Sequence, residues 1–408
     1  MKCRHCQTEL TLSLIDLGTS PPSNAYLTQQ MLHAPEKYFP LRVLVCTECW
    51  LVQTEDYAGA DELFSSDYAY FSSFSTTWLK HAEKYVADMA ARFGLNGNSH
   101  IVEVAANDGY LLQFAKAKGI PCLGIEPTTS TANAARAKGI EIVEAFFGVK
   151  LAQELAVQGK QADLTAANNV LAHVPDINDF VGGFAAILKP AGVSTFEFPH
   201  LLRLISENQF DTIYHEHYSY LSLTAVKRIF ECNGLNVFDV EELPTHGGSL
   251  RVYAQRKDTG MRETSQNVAS ILDCETAAGM TNAAFYAGFQ EKANRVKNDF
   301  LAFLIEAQRA GKTVVGYGAA AKGNTLMNYA GVRADLLSYV VDRNPAKQDK
   351  FLPGCRIQIV SESQLKQTRP DYVVILPWNL RTEVIEQLAY IREWGGQFVT
   401  AVPSLKIE

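Results

Sequence analysis

The stretch IVEVAANDGYLL, residues 101–112, joins an apolar strand pattern to a glycine-containing turn and the start of a helix pattern. In a doubly wound α/β fold this strand–turn–helix order forms the nucleotide site, because backbone N–H groups at the helix start face the ligand. The turn lacks the G-x-G-x-x-G pattern that approaches the pyrophosphate of a dinucleotide. The stretch therefore predicts a nucleotide-binding α/β domain without a dinucleotide fingerprint.

The residues around this turn supply candidate ligand contacts. Asp108 and Gly109 form the turn, and Glu126 ends the next predicted strand, where a carboxylate can accept hydrogen bonds from both ribose hydroxyls. A later strand pattern, ADLTAANNVL, brings three more polar residues to the same edge of the sheet: Asn168, Asn169 and His173. Without a pyrophosphate to cradle, S-adenosylmethionine fits better than NAD. We predict a methyltransferase fold, with an α/β domain for another nucleotide as the alternative.

Four of the eight cysteines form two C-x-x-C pairs near the start of the chain, Cys3 with Cys6 and Cys46 with Cys49. Together they can supply four thiolates to one tetrahedral zinc, although the 39-residue gap exceeds the usual ~15–20. Disulfides or unrelated thiols are the alternatives. Because four thiolates leave no open position on the metal, we expect this zinc to be structural.

Strand and helix patterns alternate along the rest of the chain, which predicts parallel sheets covered by helices on both faces. One long helical pattern runs from Phe285 to Ala307, and LLSYVVD and DYVVILPW are predicted strands of a second alternating region. We expect an α/β protein of three parts: a zinc-binding module (1–75), a class I methyltransferase domain (76–255) and a C-terminal Rossmann-like domain (256–408).

The composition, 47% hydrophobic and 20% charged, is that of a soluble globular protein. A net charge of −7 disfavours nucleic acids and anionic membranes as partners, because both are bound through clustered Lys and Arg. The N-terminus, MKCRHCQTEL, does not resemble a signal peptide, and no stretch reaches the ~20 apolar residues of a membrane span. We therefore expect a cytoplasmic protein, and we favour a monomer.

A second glycine-rich turn, GYGAAAKGN, follows a strand pattern and places Gly318, Lys322 and Asn324 at a helix start, as in a pyrophosphate site. THGGSLRVY adds Ser249 and Arg251, which are suited to a hydroxyl or a phosphate. Ordinary tight turns with solvated basic residues are the alternative for both. Since the first turn is assigned to the methyl donor, we assign the second to a sugar nucleotide, with NAD as the rival.

Two of the nine histidines lie in DTIYHEHYSY, residues 211–220. On a strand, His215 and His217 would share one face, and Tyr214 and Glu216 the other. Such a pair could bind zinc with a third ligand, transfer protons or belong to a polar network in the core. The four-thiolate site weakens the zinc interpretation, and we predict a structural role for His215.

The whole chain resembles the nucleotide-sugar C-methyltransferases of deoxysugar biosynthesis, which make branched sugars of the tetronitrose, kijanose and mycarose type. The matching stretches are the two cysteine pairs, LGTSPPSNAYL, YAYFSS, VEVAANDGYLL, GIEP, NNVLAHVPD, FEFPHLL, FDTIYHEHYSYLSL, THGGSLRVY and GYGAAAKGNT. The resemblance implies a zinc module, a central S-adenosylmethionine domain and a C-terminal domain that helps to hold the nucleotide sugar. Ala105 occupies a position in the first turn where many methyltransferases have glycine. Members of this family often carry another residue there.

The resemblance also implies roles for individual residues. It makes His217 the general base and places Tyr214 and Glu216 beside the sugar, which requires an irregular loop instead of a strand. The pocket would also be lined by His173 and by Tyr68, with Tyr70 as the alternative tyrosine. Further predicted contacts are Glu103 and Asn107 for the methyl donor, and Glu197 and His200 for the sugar.

This chemistry requires a nucleophilic carbon, which a 4-keto sugar provides because its C3 and C5 hydrogens are acidic. A histidine can remove such a proton near neutral pH, while donors stabilise the enolate oxygen. We predict C-methylation of a dTDP- or GDP-linked 4-keto-deoxysugar, with C3 favoured over C5. The alternatives are O- or N-methylation of a sugar or another small metabolite, and a zinc-ribbon scaffold that binds without chemistry.

Overall fold

The structure is a computed structural model and describes residues 1–57 and 71–408. Within these ranges the strands form three sheets, of four, seven and six strands. The first sheet is antiparallel throughout, with strand order β1–β2–β3–β9. Its strands are β1 (Leu12–Ser20), β2 (Phe39–Val45), β3 (Val52–Thr54) and β9 (Ser219–Tyr220). The fourth strand thus comes from within the predicted central domain, and the domain boundaries stay predictions.

The second sheet has the order β10–β11–β8–β7–β4–β5–β6. Its strands are β4 (Ile101–Val104), β5 (Cys122–Ile125), β6 (Glu141–Val143), β7 (Ala162–Asn168), β8 (Leu188–Pro199), β10 (Leu235–Leu243) and β11 (Ser249–Arg256). The order reverses at β4, so the crevice outside the carboxyl ends of β4 and β7 is the expected ligand position. This confirms the predicted α/β class.

The helices around this sheet are α1 (Thr76–Phe93), α2 (Leu112–Ala117), α3 (Thr129–Ala137), α4 (Val149–Val157), α5 (Ile177–Ile187), α6 (Leu201–Ser206), α7 (Leu223–Cys232) and α8 (Gln266–Ala278). Helix α1 begins where Ser75 accepts a hydrogen bond from the backbone N–H of Trp78, and it ends at Gly94 in the left-handed conformation. A serine before the first turn and a glycine after the last are the residues that commonly bound an α-helix.

The third sheet has the order β14–β13–β12–β15–β16–β17 and reverses at β12. Its strands are β12 (Val314–Tyr317), β13 (Val340–Val341), β14 (Ile359–Val360), β15 (Tyr372–Ile375), β16 (Gln397–Thr400) and β17 (Lys406–Ile407). The remaining helices are α9 (Ala283–Tyr286), α10 (Phe289–Arg309), α11 (Ala321–Tyr329), α12 (Ser363–Thr368) and α13 (Arg381–Gln387). Short 3₁₀ helices span Gln30–His33, Ser72–Phe74, Leu171–His173, Phe210–Thr212, Thr245–Gly247, Trp378–Leu380 and Ala389–Trp394.

Two expectations about these elements were wrong in detail. The second sheet is mixed, because β11 runs antiparallel to both β8 and β10. The connection between β10 and β11 is too short for a parallel crossover, which needs about a dozen residues. The helical pattern from Phe285 to Ala307 is broken at Gly288, which has a φ of 79° and separates α9 from α10.

One hydrophobic core joins the first and third sheets. It contains Val43 of β2 and Val374 of β15, together with Phe210 and Ile213 from the DTIYHEHYSY region. All four side chains are fully buried. The backbone around residues 210–213 is therefore fixed between the two sheets. Across the two described ranges, no helix combines the length and the hydrophobicity needed to cross a bilayer.

Candidate active site

Residues 213–218 form an irregular loop between the 3₁₀ helix Phe210–Thr212 and β9. A turn closes where the backbone N–H of His217 donates to the carbonyl oxygen of Tyr214 at 2.9 Å. The turn brings the ring centroids of Tyr214 and His217 to 3.9 Å, and that of His173 to 4.6 Å from His217. On a regular strand Tyr214 and His217 would point to opposite faces, so the turn is what brings these rings together.

The first sheet and the segment before it hold this loop from one side. Asn24 donates from its side-chain amide to Glu216 Oε2 at 2.6 Å, and Thr54 Oγ1 donates to the His217 carbonyl oxygen at 3.1 Å. The His215 ring points away from the cluster and contacts the carbonyl oxygens of Phe39 and Pro40. These contacts agree with the structural role predicted for His215.

The third sheet holds the loop from the other side. Thr325 Oγ1, in α11, donates to the carbonyl oxygen of Ile213 at 2.9 Å. Trp378 Nε1, just after β15, donates to Asp211 Oδ2 at 2.8 Å. The loop is therefore enclosed by elements that lie far apart in the sequence, and its shape depends on all of them.

The imidazole of His217 has a defined tautomer. Its Nδ1 atom lies 2.8 Å from the carbonyl oxygen of Thr212, and a carbonyl only accepts hydrogen bonds, so Nδ1 carries the proton. The Nε2 atom of the neutral ring is then a free base. Burial lowers the pKa of His217 well below its usual value, and His173 lowers it further. His217 is thus unprotonated at neutral pH, as a general base must be.

Two buried acids lie in this segment, Glu216 in the loop and Asp211 in the 3₁₀ helix before it, and burial raises the pKa of both. The pKa of Glu216 rises to about 7 although Asn24 donates to its carboxylate. The pKa of Asp211 rises to about 6 although Lys322 and Trp378 favour its ionised form. These groups titrate near neutrality because the apolar surroundings disfavour a carboxylate.

Lys322 lies at the start of α11, where the order of the third sheet reverses. Its Nζ donates to Asn379 Oδ1 at 2.7 Å and lies 4.7 Å from the ring centroid of Trp378. Burial lowers the pKa of Lys322, and the charge of Asp211 opposes this. The charge of Lys322 also contributes to the lowered pKa of His217. The third sheet therefore places a cation beside Trp378, the residue that donates to Asp211.

The predicted donor turn follows β4 and is shaped by Glu126. One carboxylate oxygen of Glu126 accepts from the backbone N–H of Asn107 at 2.9 Å, and the other from Thr128 at 3.0 Å. Ala105 and Asn107 have φ values of 59° and 48°, a conformation that usually favours glycine. Gly109 has a φ of 74°, and a Cβ there would lie 2.4 Å from the side chain of Ile140 and 3.2 Å from that of Ala135, so this position favours glycine.

The residues at this edge fit S-adenosylmethionine. Glu126 keeps a lone pair on each oxygen, enough to accept from two ribose hydroxyls. Among the described residues, the buried amide of Asn168 and Asp108 Oδ1 have no hydrogen-bond partner and remain available to a polar ligand. Glu103 is buried within β4, and burial raises its pKa. Asp108 and Glu126 follow the carboxyl ends of β4 and β5, and Asn168 ends β7.

Asn169, the remaining predicted donor contact, connects this site to a histidine outside the predicted set. It has a φ of 55°, and its side-chain amide lies 3.2 Å from His246 Nε2. His246 itself has a φ of 54° and packs against Trp78, which stacks on His81 with ring centroids 4.8 Å apart. The unusual THGG stretch was the signal in the sequence for His246.

The structure pairs several predicted substrate contacts with protein groups. Glu197 Oε2 lies 2.8 Å from His81 Nε2, and Glu197 Oε1 accepts from Arg251 Nε at 2.7 Å. Arg251 also contacts Glu241 at 3.2 Å. Burial raises the pKa of Glu197, but His81 and Arg251 more than offset this, and the pKa is lowered. These pairings hold β8, β10 and β11 together, and a substrate role for Glu197 or Arg251 stays a prediction.

His200 and Ser249 are likewise bonded within the protein. His200 Nε2 lies 2.7 Å from Glu275 Oε1, and both side chains are buried. Ser249 Oγ donates to the carbonyl oxygen of Thr245 at 2.9 Å. Both residues nevertheless line a groove of about 400 Å³ beside Gly247 and Gly248. The contact of His200 and Ser249 with a substrate stays a prediction.

Gly318 and Asn324 lie on either side of Lys322 at the second glycine-rich turn. Gly318 has a φ of 88°, and a Cβ there would lie 2.5 Å from Pro377. Asn324 is fully buried in α11, and its side-chain nitrogen has no partner among the described residues. Tyr68 and Tyr70 lie outside the described residues, so the structure does not place the predicted pocket tyrosine.

Cys3, Cys6, Cys46 and Cys49 meet in one cluster, with all four Sγ atoms within 4.8 Å of one another. A tetrahedral zinc with Zn–S bonds of ~2.3 Å separates its sulfurs by a little under 4 Å, so the cluster fits this metal. All four are free thiols, which rules out the disulfide alternative in this structure. Four ligands fill the coordination shell, and the metal is structural.

Comparison with known proteins gives the family. The chain is 33% identical over 406 residues to C-methyltransferase NovU of Streptomyces niveus, covering 100% of this chain and 96% of that protein. The chain belongs to this C-methyltransferase family. Three family models agree: a zinc binding domain over residues 3–64, a methyltransferase domain over 78–240 and a C-methyltransferase C-terminal domain over 244–403.

The C-methyltransferase also shares a partial likeness with solved structures. Magnesium protoporphyrin IX methyltransferase from Synechocystis, with bound S-adenosylmethionine, is 16% identical with a TM-score of 0.34, covering 44% of this chain and 79% of that one. A methyltransferase from Clostridium acetobutylicum is 9% identical with a TM-score of 0.35, covering 44% and 92%. The family shown by the full-length relative and the family models makes the protein a methyltransferase, and the resemblance found in the sequence is confirmed.

Proposed function

We propose that the enzyme methylates the carbon next to the ketone of a nucleotide-linked 4-keto-deoxysugar, with C3 favoured over C5. The observation that carries this proposal is the bond from His217 Nδ1 to the Thr212 carbonyl oxygen, which leaves Nε2 as a base. Methyl transfer to carbon needs such a base, because a C–H bond must first lose its proton. An oxygen or nitrogen acceptor needs no enolate.

In this proposal His217 Nε2 removes the proton from the carbon beside the ketone, and the electron pair moves onto the ketone oxygen. Tyr214 and the protonated form of Glu216 are the candidates to donate to that oxygen, with His173 as the other candidate. S-adenosylmethionine supplies an electrophilic methyl group bonded to a sulfonium. The enolate carbon then forms a bond to this methyl, the C–S bond breaks, and the ketone is restored.

The donor is assigned to the edge of the second sheet, through Glu103, Asn107, Asp108, Gly109, Glu126, Asn168 and Asn169. For the sugar nucleotide we propose the turn of the third sheet. Lys322 supports this assignment, because a half-buried ammonium group at the switch point of an α/β sheet suits a diphosphate. Gly318 and Asn324 flank it, and Glu197, His200, Ser249 and Arg251 are proposed to act at the neighbouring groove.

Deuterium exchange tests the proposal directly. The enzyme is incubated in D2O with dTDP- and GDP-linked 4-keto-6-deoxysugars, with and without S-adenosylmethionine, and the products are analysed by mass spectrometry and NMR. We expect enzyme-dependent exchange beside the ketone and a new methyl group on the same carbon. Methylation of a heteroatom without exchange would replace the proposal by O- or N-methylation.

A further inference from the structure

Gln53 bridges the two halves of the cysteine cluster. Its fully buried side chain donates from Nε2 to Cys3 Sγ at 3.3 Å, and its Oε1 accepts from the backbone N–H of Arg4 at 2.9 Å. Gln53 lies in β3, directly after the second cysteine pair, while Cys3 and Arg4 lie in the first. Any shift of the cluster is therefore transmitted to β3.

The guanidinium group of Arg4 extends from this cluster towards the loop of residues 213–218. Its side chain is 4% exposed and donates to the carbonyl oxygens of Thr54 and Pro175, each at 3.0 Å. Its Cζ atom lies 5.2 Å from the ring centroid of Tyr218, the residue after His217. A buried arginine with several fixed partners is a rigid spacer, because its planar donors cannot all be satisfied in another position.

Thr54 ends this chain of contacts at the backbone of the proposed base. Its Oγ1 donates to the His217 carbonyl oxygen at 3.1 Å, and its N–H donates to the Tyr218 carbonyl oxygen at 3.2 Å. Gln53 pairs with Ser219 in the same sheet. The main chain of His217 is thus held from the cluster side, and its ring is held by Thr212 from the opposite side.

We propose that the zinc module is a positioning device for the base: Cys3 fixes Gln53 and Arg4, which hold Thr54 and, through it, the main chain of His217. The proposal rests on the role of His217 proposed above. Proton transfer requires the base within a fraction of an ångström of its productive position, and a closed metal site is a rigid anchor for that purpose. Thr54, Arg4 and Gln53 are positioning residues and touch no reacting atom.

Thr54→Val tests this device, because it keeps the shape of the side chain and removes the hydroxyl. We expect kcat and the rate of C–H exchange in D2O to fall roughly tenfold, with KM, zinc content and donor affinity unchanged. Thr54→Ser restores the hydroxyl and should recover most of the rate. The matched control is Thr259→Val, which removes a similar hydroxyl bond to the Pro190 carbonyl oxygen at an exposed site.

Hydrogen–deuterium exchange of the peptide covering residues 213–220 gives a readout that does not depend on turnover. We expect faster amide exchange in Thr54→Val than in the wild type. Arg4→Lys, which cannot reach both carbonyl oxygens at once, is the second variant and should show the same changes if Thr54→Val folds poorly. Wild-type kcat and amide exchange in both variants would overturn the device, even if His217→Asn is inactive. An active His217→Asn would instead refute the base.

Discussion

The Nδ1 atom of His217 and the carbonyl oxygen of Thr212 lie 2.8 Å apart, and this one bond decides which nitrogen of the ring can accept a proton. Thr212 ends the 3₁₀ helix that precedes the loop, so its carbonyl is set by backbone geometry. A side-chain partner could rotate away, whereas a carbonyl fixed between two sheets cannot. The tautomer of His217 is therefore a property of the fold.

Replacing His217 by asparagine should abolish most turnover. Asparagine removes the basic Nε2, so we expect kcat to fall by roughly 10² or more, while donor binding and zinc content are retained. Steady-state kinetics and calorimetry with S-adenosylmethionine measure both effects. His215→Asn is the matched control from the same loop, and its kcat per folded molecule should stay near the wild type. Equal losses in the two variants would point to damage of the loop.

The acid limb of the pH profile should lie at low pH. Because burial and His173 hold the pKa of His217 below its usual value of ~6.5, the base stays unprotonated as the pH falls through that value. We expect the acid-side decline of kcat/KM that reports protonation of His217 to be centred below pH 6.5. A decline centred at or above pH 6.5 would contradict the assignment.

Glu216 should make the fold less stable as the pH rises. Its folded pKa of about 7 lies above the unfolded value of 4.5, so the folded state keeps a proton that the unfolded chain releases between these values. Relative to the ionised carboxylate, the protonated Glu216 carboxyl stabilises the folded state by on the order of 3 kcal/mol. This stabilisation is fully present below pH 4.5 and is lost as the pH rises to about 7. Glu216→Gln, which cannot ionise, should therefore gain stability relative to wild type between pH 5 and pH 8. Melting curves of the variant and the wild type at pH 5 and at pH 8 test this. The same difference in melting temperature at the two pH values would contradict it.

The cysteine cluster should bind about one zinc per chain, and its loss should destabilise the protein. Cys6→Ser removes one thiolate, so we expect reduced zinc content and a lower melting temperature. Cys232→Ser, at an exposed cysteine in α7, is the control and should change neither quantity. Elemental analysis and thermal unfolding measure the two effects. Full zinc content in Cys6→Ser would place the metal elsewhere.

Glu126 should contribute mainly to the affinity for the methyl donor. In Glu126→Gln the carboxylate is replaced by an amide that accepts fewer and weaker hydrogen bonds, so we expect the Kd of S-adenosylmethionine to rise about 10- to 100-fold. Calorimetry measures this, with the exposed Glu154→Gln on α4 as control. Unchanged affinity in Glu126→Gln would remove this residue from the donor site.

The donor turn and the cysteine cluster were predictable because local patterns encode them. A strand pattern, a glycine-containing turn and a carboxylate seventeen residues after Gly109 are enough to predict the position of the donor turn. Two C-x-x-C pairs are enough to predict the metal ligands. The surroundings of His217 were not predictable in this way. Asn24 lies 192 residues from Glu216, and Trp378 lies 167 residues from Asp211. Neither pattern nor spacing in a single sequence can pair residues over such separations.

Residues assigned to a substrate from their sequence motifs also show that a single sequence does not reveal long-range partners. Arg251 and His200 have the chemistry of phosphate and hydroxyl ligands, and the sequence motifs around them suggested a substrate. In the fold each faces a buried carboxylate, Glu197 for the arginine and Glu275 for the histidine. A buried charge needs a partner, and the sequence does not reveal which charges meet in the interior.

The pairing of β9 with β3 has a consequence for the order of events during synthesis. All four cysteines leave the ribosome early, yet the fourth strand of their sheet, Ser219–Tyr220, emerges about 165 residues after β3. Until then the edge of β3 has no neighbour on that side and can pair with another chain. The same event that covers this edge also places the preceding residues, 213–218, against the first sheet. Protection of this edge and the first fixing of the loop are therefore one step, and Thr325 and Trp378 complete the enclosure of the loop only when they have been synthesised.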